Sequence, residues 1–178
     1  MEITFYLSGA IAIAATLRVI TGLSAVHALL YLIVSLLAVA VVFYVLGAPF
    51  AAALEVIIYA GAIMVLFVFV MMMLNLGKDA AARERDWLNP GMWAGPAILA
   101  ALLLAELIYI FAQGSGTHSG AAVVDAKAVG IALFGPYLLG VELASLLLLA
   151  GLVGACHLGS HEDWHKGEWE NGHGHENG

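Results

Sequence analysis

The chain has 178 residues, 63% of them hydrophobic and 11% charged, with a formal net charge of −7 and a mean hydropathy of +0.99. A soluble domain needs about 25% charged residues to cover its surface, so a water-soluble globule is excluded and the composition matches lipid as solvent. Only six Lys and Arg are present, which leaves no basic footprint for nucleic acid.

Lipid offers no partner for an open sheet edge, so apolar spans must be helices or closed barrels. Alternating segments of about ten residues, the mark of a membrane barrel, do not occur. Five segments reach the roughly 20 apolar residues that a helical crossing requires: Ile3–Ile20, Val26–Leu46, Phe50–Leu74, Trp93–Phe111 and Phe134–Leu158. The expected fold is an all-α integral membrane protein, with residues 1–158 as its transmembrane domain. The first segment lacks a basic n-region and exceeds a signal-peptide apolar run, so it reads as a retained helix.

Thr21–Ala25 is a short connection. Gly47–Pro49 is shorter, which makes the second and third helices antiparallel neighbours. Asn75–Met92 is the main charged loop, and Gln113–Lys127 is a long one opening with Gly and Ser. Arg18, Lys78, Arg83, Arg85 and Lys166 fall on one side of a five-span chain and Lys127 alone on the other, which predicts an N-out, C-in orientation. Trp87 and Trp93 would then flank the inner end of the fourth helix as interfacial anchors. The tail at 159–178 is polar, Gly-rich and short of apolar area, so disorder is expected in the cytoplasm.

Three acids lie within apolar segments: Glu55, Glu106 and Glu142. Glu55 stands about 8 Å inside the outer end of the third helix at 1.5 Å per residue. A carboxylate at the centre of a span costs about 2.5–3.5 kcal/mol. Glu55 therefore either reaches outward to the headgroups or serves a proton path or a buried partner. Tyr59, four residues on, shares its face and is either an aromatic packed in the bundle or a hydroxyl available to the carboxylate. Ala60-Gly61-Ala62 permits either close approach of a neighbouring helix or a hinge or π-bulge. Gly135-Pro136 marks a kink or a helix start. Gly140 with Ala144, and Gly151 with Ala155, are small pairs suited to helix contacts. Glu142 lies within the first pair, between Gly140 and Ala144, as a secondary intramembrane acid, and Glu106 lies near enough to its helix end to read as a solvated terminus. Cys156 reads as a small apolar packing residue. His157, His161 and His165 follow one another at four-residue intervals, with His173 and His175 beyond. No Cys or fixed loop supports a metal site there, and none is expected.

The block LEVIIYAGAIMVLFVFVMMMLNL, with ATLRVITGLSAVHALLYLIVSLLAVAVVFYVLGAPF before it and AKAVGIALFGPYLLGVELASLLLLAGLVGA after it, closely resembles the J subunit (chain 6) family of the proton-pumping NADH:quinone oxidoreductase, respiratory complex I. The likeness runs from Met1 to about Leu158. It implies a multi-pass subunit of the bacterial inner membrane that binds no cofactor itself, in a complex that uses NADH, FMN, iron–sulfur clusters and quinone. It implies the quinone-site subunit, the small K subunit and antiporter-like subunits as partners. The family's switchable π-bulge in the third helix maps onto Tyr59, Gly61, Ala62, Ile63, Met64 and Val65, and its helix-three acid onto Glu55. The function implied is coupling of quinone reduction to proton translocation, by a non-redox subunit of a translocase. Alternatives are a membrane subunit of a related cation/proton antiporter or membrane-bound hydrogenase, a purely structural assembly subunit, and a free-standing small channel.

Overall fold

The structure is a computed structural model and describes residues 2–22, 25–74, 90–112 and 123–171. Within them every regular element is helical. In chain order these are α1 (Glu2–Thr21), α2 (Ala25–Val45), α3 (Pro49–Leu54), a π-helical segment (Glu55–Ile63), α4 (Met64–Leu74), α5 (Pro90–Ala112), α6 (Ala126–Leu133) and α7 (Leu138–Asn171). The α3, π and α4 pieces run on as one rod, and five helices are long and apolar enough to cross a membrane. The chain divides into two compact units, Met1–Ala126 and Lys127–Gly178.

In the first unit α2 is central and packs against α1, the α3–π–α4 rod and α5, while α1 also meets α5. The core is formed by Ile11 and Ala15 of α1, Val34, Ala38, Val41 and Val45 of α2, and Leu103 and Ile110 of α5. Lipid tails are as apolar as these side chains, so close packing and interhelical hydrogen bonds must hold the bundle. Ala15 and Ala38 are fully buried, which lets the α1 and α2 backbones approach. Ser35 Oγ lies 2.8 Å from Thr16 Oγ1 and donates to Ala12 O at 3.1 Å, fixing the register of this pair.

Ring contacts fix the direction of α5. His27 meets Trp93 at a centroid distance of 6.4 Å, and Tyr44 meets Phe111 at 6.4 Å. Both residue numbers rise together, so α2 and α5 run parallel, as alternate spans of an up-and-down bundle must. Gly47, at φ 84°, makes the α2–α3 turn; Gly takes this left-handed conformation without a Cβ clash. Ala48 N donates to Phe43 O at 3.0 Å, and Pro49 opens α3, where its missing N–H costs nothing. Val124 N donates to Gly47 O at 2.9 Å, tying the segment before α6 to this turn.

In the second unit, α6 and α7 are separate helices joined by a turn at residues 134–137. The fifth span therefore starts at Leu138 instead of Phe134, and α6 lies almost wholly between the expected loop, which ended at Lys127, and that span. Pro136 has no N–H to continue the ladder. A Cβ on Gly135 would stand 2.7 Å from Ile131 O, so the tight exit from α6 requires Gly. α7 continues to Asn171, thirteen residues into the tail, where disorder was expected with at most a short helical extension before it. Extending a formed helix needs no new nucleus, and no Pro interrupts the sequence after Pro136. The loop calls on Lys78, Arg83, Arg85 and Trp87, and the readings of His173 and His175, lie outside the described residues.

Candidate functional site

The rod formed by α3, the π segment and α4 carries the irregular backbone. Glu55 N, at the end of α3, bonds to Ala51 O and Ala52 O. From Glu55 the ladder widens to π geometry for nine residues. It closes where Met64 N bonds to both Tyr59 O and Gly61 O, five and three residues back. Of the residues mapped onto the bulge, Tyr59, Gly61, Ala62 and Ile63 lie in the π segment, whereas Met64 and Val65 begin α4. The segment opens at Glu55, four residues earlier than mapped.

Gly61 shows why this stretch accommodates the wider ladder. A Cβ there would stand 3.1 Å from Val56 O, the carbonyl that a five-residue ladder brings beneath it. Such contact is tighter than side chains normally tolerate. Absence of a side chain therefore lowers the cost of the π turn, which supports the hinge reading of Gly61.

Glu55 is half-buried and Tyr59 is half-exposed. No hydrogen bond joins their side chains among the described residues. Most of the rod is exposed within this chain, including Ile57, Leu66, Phe67 and Phe69. Between the rod, α2 and α5 lies an apolar groove of about 460 Å³, walled by residues such as Tyr44, Ala52, Val56, Leu103 and Leu107.

Two sequence readings are corrected. Glu106 is 6% exposed and is not a solvated terminus. Its Oε1 lies within hydrogen-bond distance of Ser8 Oγ of α1, at 2.8 Å, because α1 and α5 cross with these positions opposed. Proximity to a helix end decides exposure only when no neighbour covers that face. Cys156, expected to pack as a small apolar residue, is exposed on α7. Glu142 is also exposed there, and its backbone carbonyl accepts from Ser145 Oγ at 2.7 Å. Among the described residues no group of three His, Cys, Asp or Glu is arranged to hold a metal. Sequence reasoning missed the Ser8–Glu106 pair; its only sequence signal was a polar residue near the matching end of each span.

The profile of the family described as NADH-ubiquinone/plastoquinone oxidoreductase chain 6 matches residues 15–158. The chain is 62% identical over 160 residues to the NADH-quinone oxidoreductase subunit J of Pseudomonas aeruginosa, covering 89% of this chain and 96% of that protein. It is 60% identical over 162 residues to the subunit J of Escherichia coli K12, covering 91% and 88%. With the subunit J of Buchnera aphidicola from Schizaphis graminum, identity is 51% over 159 residues, covering 89% and 98%. Profile, relatives and five apolar helices agree: the chain belongs to the NADH-ubiquinone/plastoquinone oxidoreductase chain 6 family and is a multi-pass protein of the bacterial inner membrane.

Proposed function

We propose that this chain, a membrane subunit of NADH-quinone oxidoreductase, couples quinone reduction to proton translocation by changing the state of its third span. The observation that carries this reading is the π-helical stretch Glu55–Ile63 in an otherwise α-helical rod. Redox cofactors, NADH and quinone are handled elsewhere in the complex, and this chain's partners are the quinone-site subunit, the small K subunit and the antiporter-like subunits. This chain contributes a carboxyl, a phenol and an irregular backbone. A π turn places an extra residue in the ladder, so conversion to α-helix turns everything beyond it by about 100°. Met64, Val65 and Phe67 would be re-aimed, and bulky apolar groups swung across a narrow polar path would dry or open it.

The test replaces Glu55 with Gln and Tyr59 with Phe in the assembled complex. Glu55→Gln keeps hydrogen bonding without the charge and is expected to lower the proton yield per quinone reduced. Tyr59→Phe removes the hydroxyl and is expected to act in the same direction, each by roughly two- to tenfold, below the ~10²–10⁴-fold contribution of a general acid or base in catalysis. Vesicle proton uptake measured beside NADH oxidation separates the two quantities. Normal proton yield in both variants, with normal assembly, would leave the third span a scaffold.

The orientation proposed is N-out and C-in, from the distribution of Lys and Arg. Reporter fusions at Gly77 and Ser119 are expected on opposite faces of the membrane, Gly77 in the cytoplasm. Both reporters on one face would overturn the five-span order.

A further inference from the structure

Glu106 and Ser8 are both buried at the α1–α5 crossing. Glu106 is 6% exposed and Ser8 is fully buried. Each stands six residues from a helix end, Glu2 for Ser8 and Ala112 for Glu106, about 9 Å into the span at 1.5 Å per residue. Nothing in the proposed coupling mechanism uses them.

The hydrogen-bond inventory at this crossing is specific. Ser8 Oγ lies 2.9 Å from Thr4 O and 2.8 Å from Glu106 Oε1. A hydroxyl has one proton to donate. Thr4 O, a backbone carbonyl, can only accept. If Ser8 donates to Thr4 O, the second short contact is a hydrogen bond only when the carboxyl supplies the proton. If Ser8 donates to the carboxyl instead, its contact with Thr4 O has no proton. An ionised carboxylate could share the single Ser8 proton with Thr4 O only as a three-centre bond; both contacts are full two-centre hydrogen bonds with the neutral acid. The remaining oxygen, Glu106 Oε2, is buried with no partner, where a full carboxylate charge would be left uncompensated.

Among the described residues no cation is paired with Glu106. The titratable and charged groups on the two helices packed against α5 are Glu2, Tyr6 and Arg18 on α1, and His27, Tyr31 and Tyr44 on α2. Arg18 and His27 lie toward the opposite ends of their helices from Ser8 and Tyr44. Tyr44 is directed at Phe111, five residues beyond Glu106. Glu106 makes no ion pair among the described residues.

We propose that Glu106 and Ser8 form a buried proton-binding site of this chain, distinct from Glu55. The bound proton stays on the Glu106 carboxyl, which donates a hydrogen bond to Ser8 Oγ, and the Ser8 hydroxyl donates its own hydrogen bond to Thr4 O. On release of the proton, the Ser8 hydroxyl turns from Thr4 O to the carboxylate, which keeps one bond of the pair. The site joins α1 to α5 and holds one proton in the same half of the span as Glu55, independently of whether the π segment switches.

The test is infrared spectroscopy of the assembled complex, wild type against Glu106→Gln and Ser8→Ala, at neutral pH in H₂O and D₂O. Glu106→Gln is expected to lose one carboxylic-acid carbonyl band, above the amide I region, that shifts downward in D₂O in the wild type. Ser8→Ala is expected to keep that band but move it to higher frequency, because the acid has lost its acceptor. Loss of carboxylate stretches in Glu106→Gln, with no acid band missing, would overturn the proposal. Should Glu106→Gln fail to assemble, the Ser8→Ala spectrum decides: an upward shift supports the site, and no change in the acid region refutes it.

Discussion

Gly61→Val is expected to give a complex that assembles but turns over about tenfold or more slowly, with proton pumping reduced in parallel. The reason is local. A Cβ at residue 61 would stand 3.1 Å from Val56 O, and Val adds two methyl groups that restrict its rotamer. In a regular helix Val56 O serves the N–H of residue 60, so the conflict belongs to the π ladder. Overpacking of this kind costs about 1–3 kcal/mol, and about 1.4 kcal/mol changes a population ratio tenfold. Two states that lie within a few kcal/mol of each other respond to such a bias by a change of dominant state. Gly61→Ala, with a Cβ only, is expected to act in the same direction and more weakly. Quinone reduction and vesicle proton uptake, measured on purified complex, check both variants. Wild-type values for Gly61→Val would make Gly61 a packing residue and remove the switch from this span.

Gly95→Ala is expected to reduce the assembled complex severalfold and to lower the melting temperature of what remains. A Cβ on Gly95 would land on the Tyr31 hydroxyl and lie 3.1 Å from Tyr31 Cζ. Tyr31 packs against the core between α1, α2 and α5, so moving its ring off the added methyl disturbs that packing. The two helices must then separate where their close approach supplies the packing that holds them in lipid. Overpacking costs of about 1–3 kcal/mol apply here also. The double variant Gly95→Ala, Tyr31→Phe removes the hydroxyl and is expected to recover part of the loss. Native-gel quantification and thermal inactivation of activity read both effects. Equal assembly and stability of Gly95→Ala and wild type would show that α2 and α5 do not meet closely at this point.

Sequence alone determined the membrane character, the helical class and the number of spans. Each follows from local quantities: apolar length against bilayer thickness, and the need of every backbone group in lipid for an internal partner. It also marked the Gly47–Pro49 turn and the break at Gly135-Pro136, where Gly and Pro act through their own backbone. The quoted family resemblance pointed to an irregular stretch near Gly61; the residues themselves favoured close packing over a hinge. Tertiary structure decided what depends on which helix faces which. Glu106 and Cys156 exchanged their expected environments: α1 covers Glu106 and offers it Ser8, while the residue expected to pack on α7 is exposed. The pairing of Ser8 with Glu106 spans 98 positions, and no periodicity within either helix encodes it. Burial and hydrogen bonding of an intramembrane acid are properties of a crossing between helices, and a crossing is fixed only when all the packed faces are chosen together.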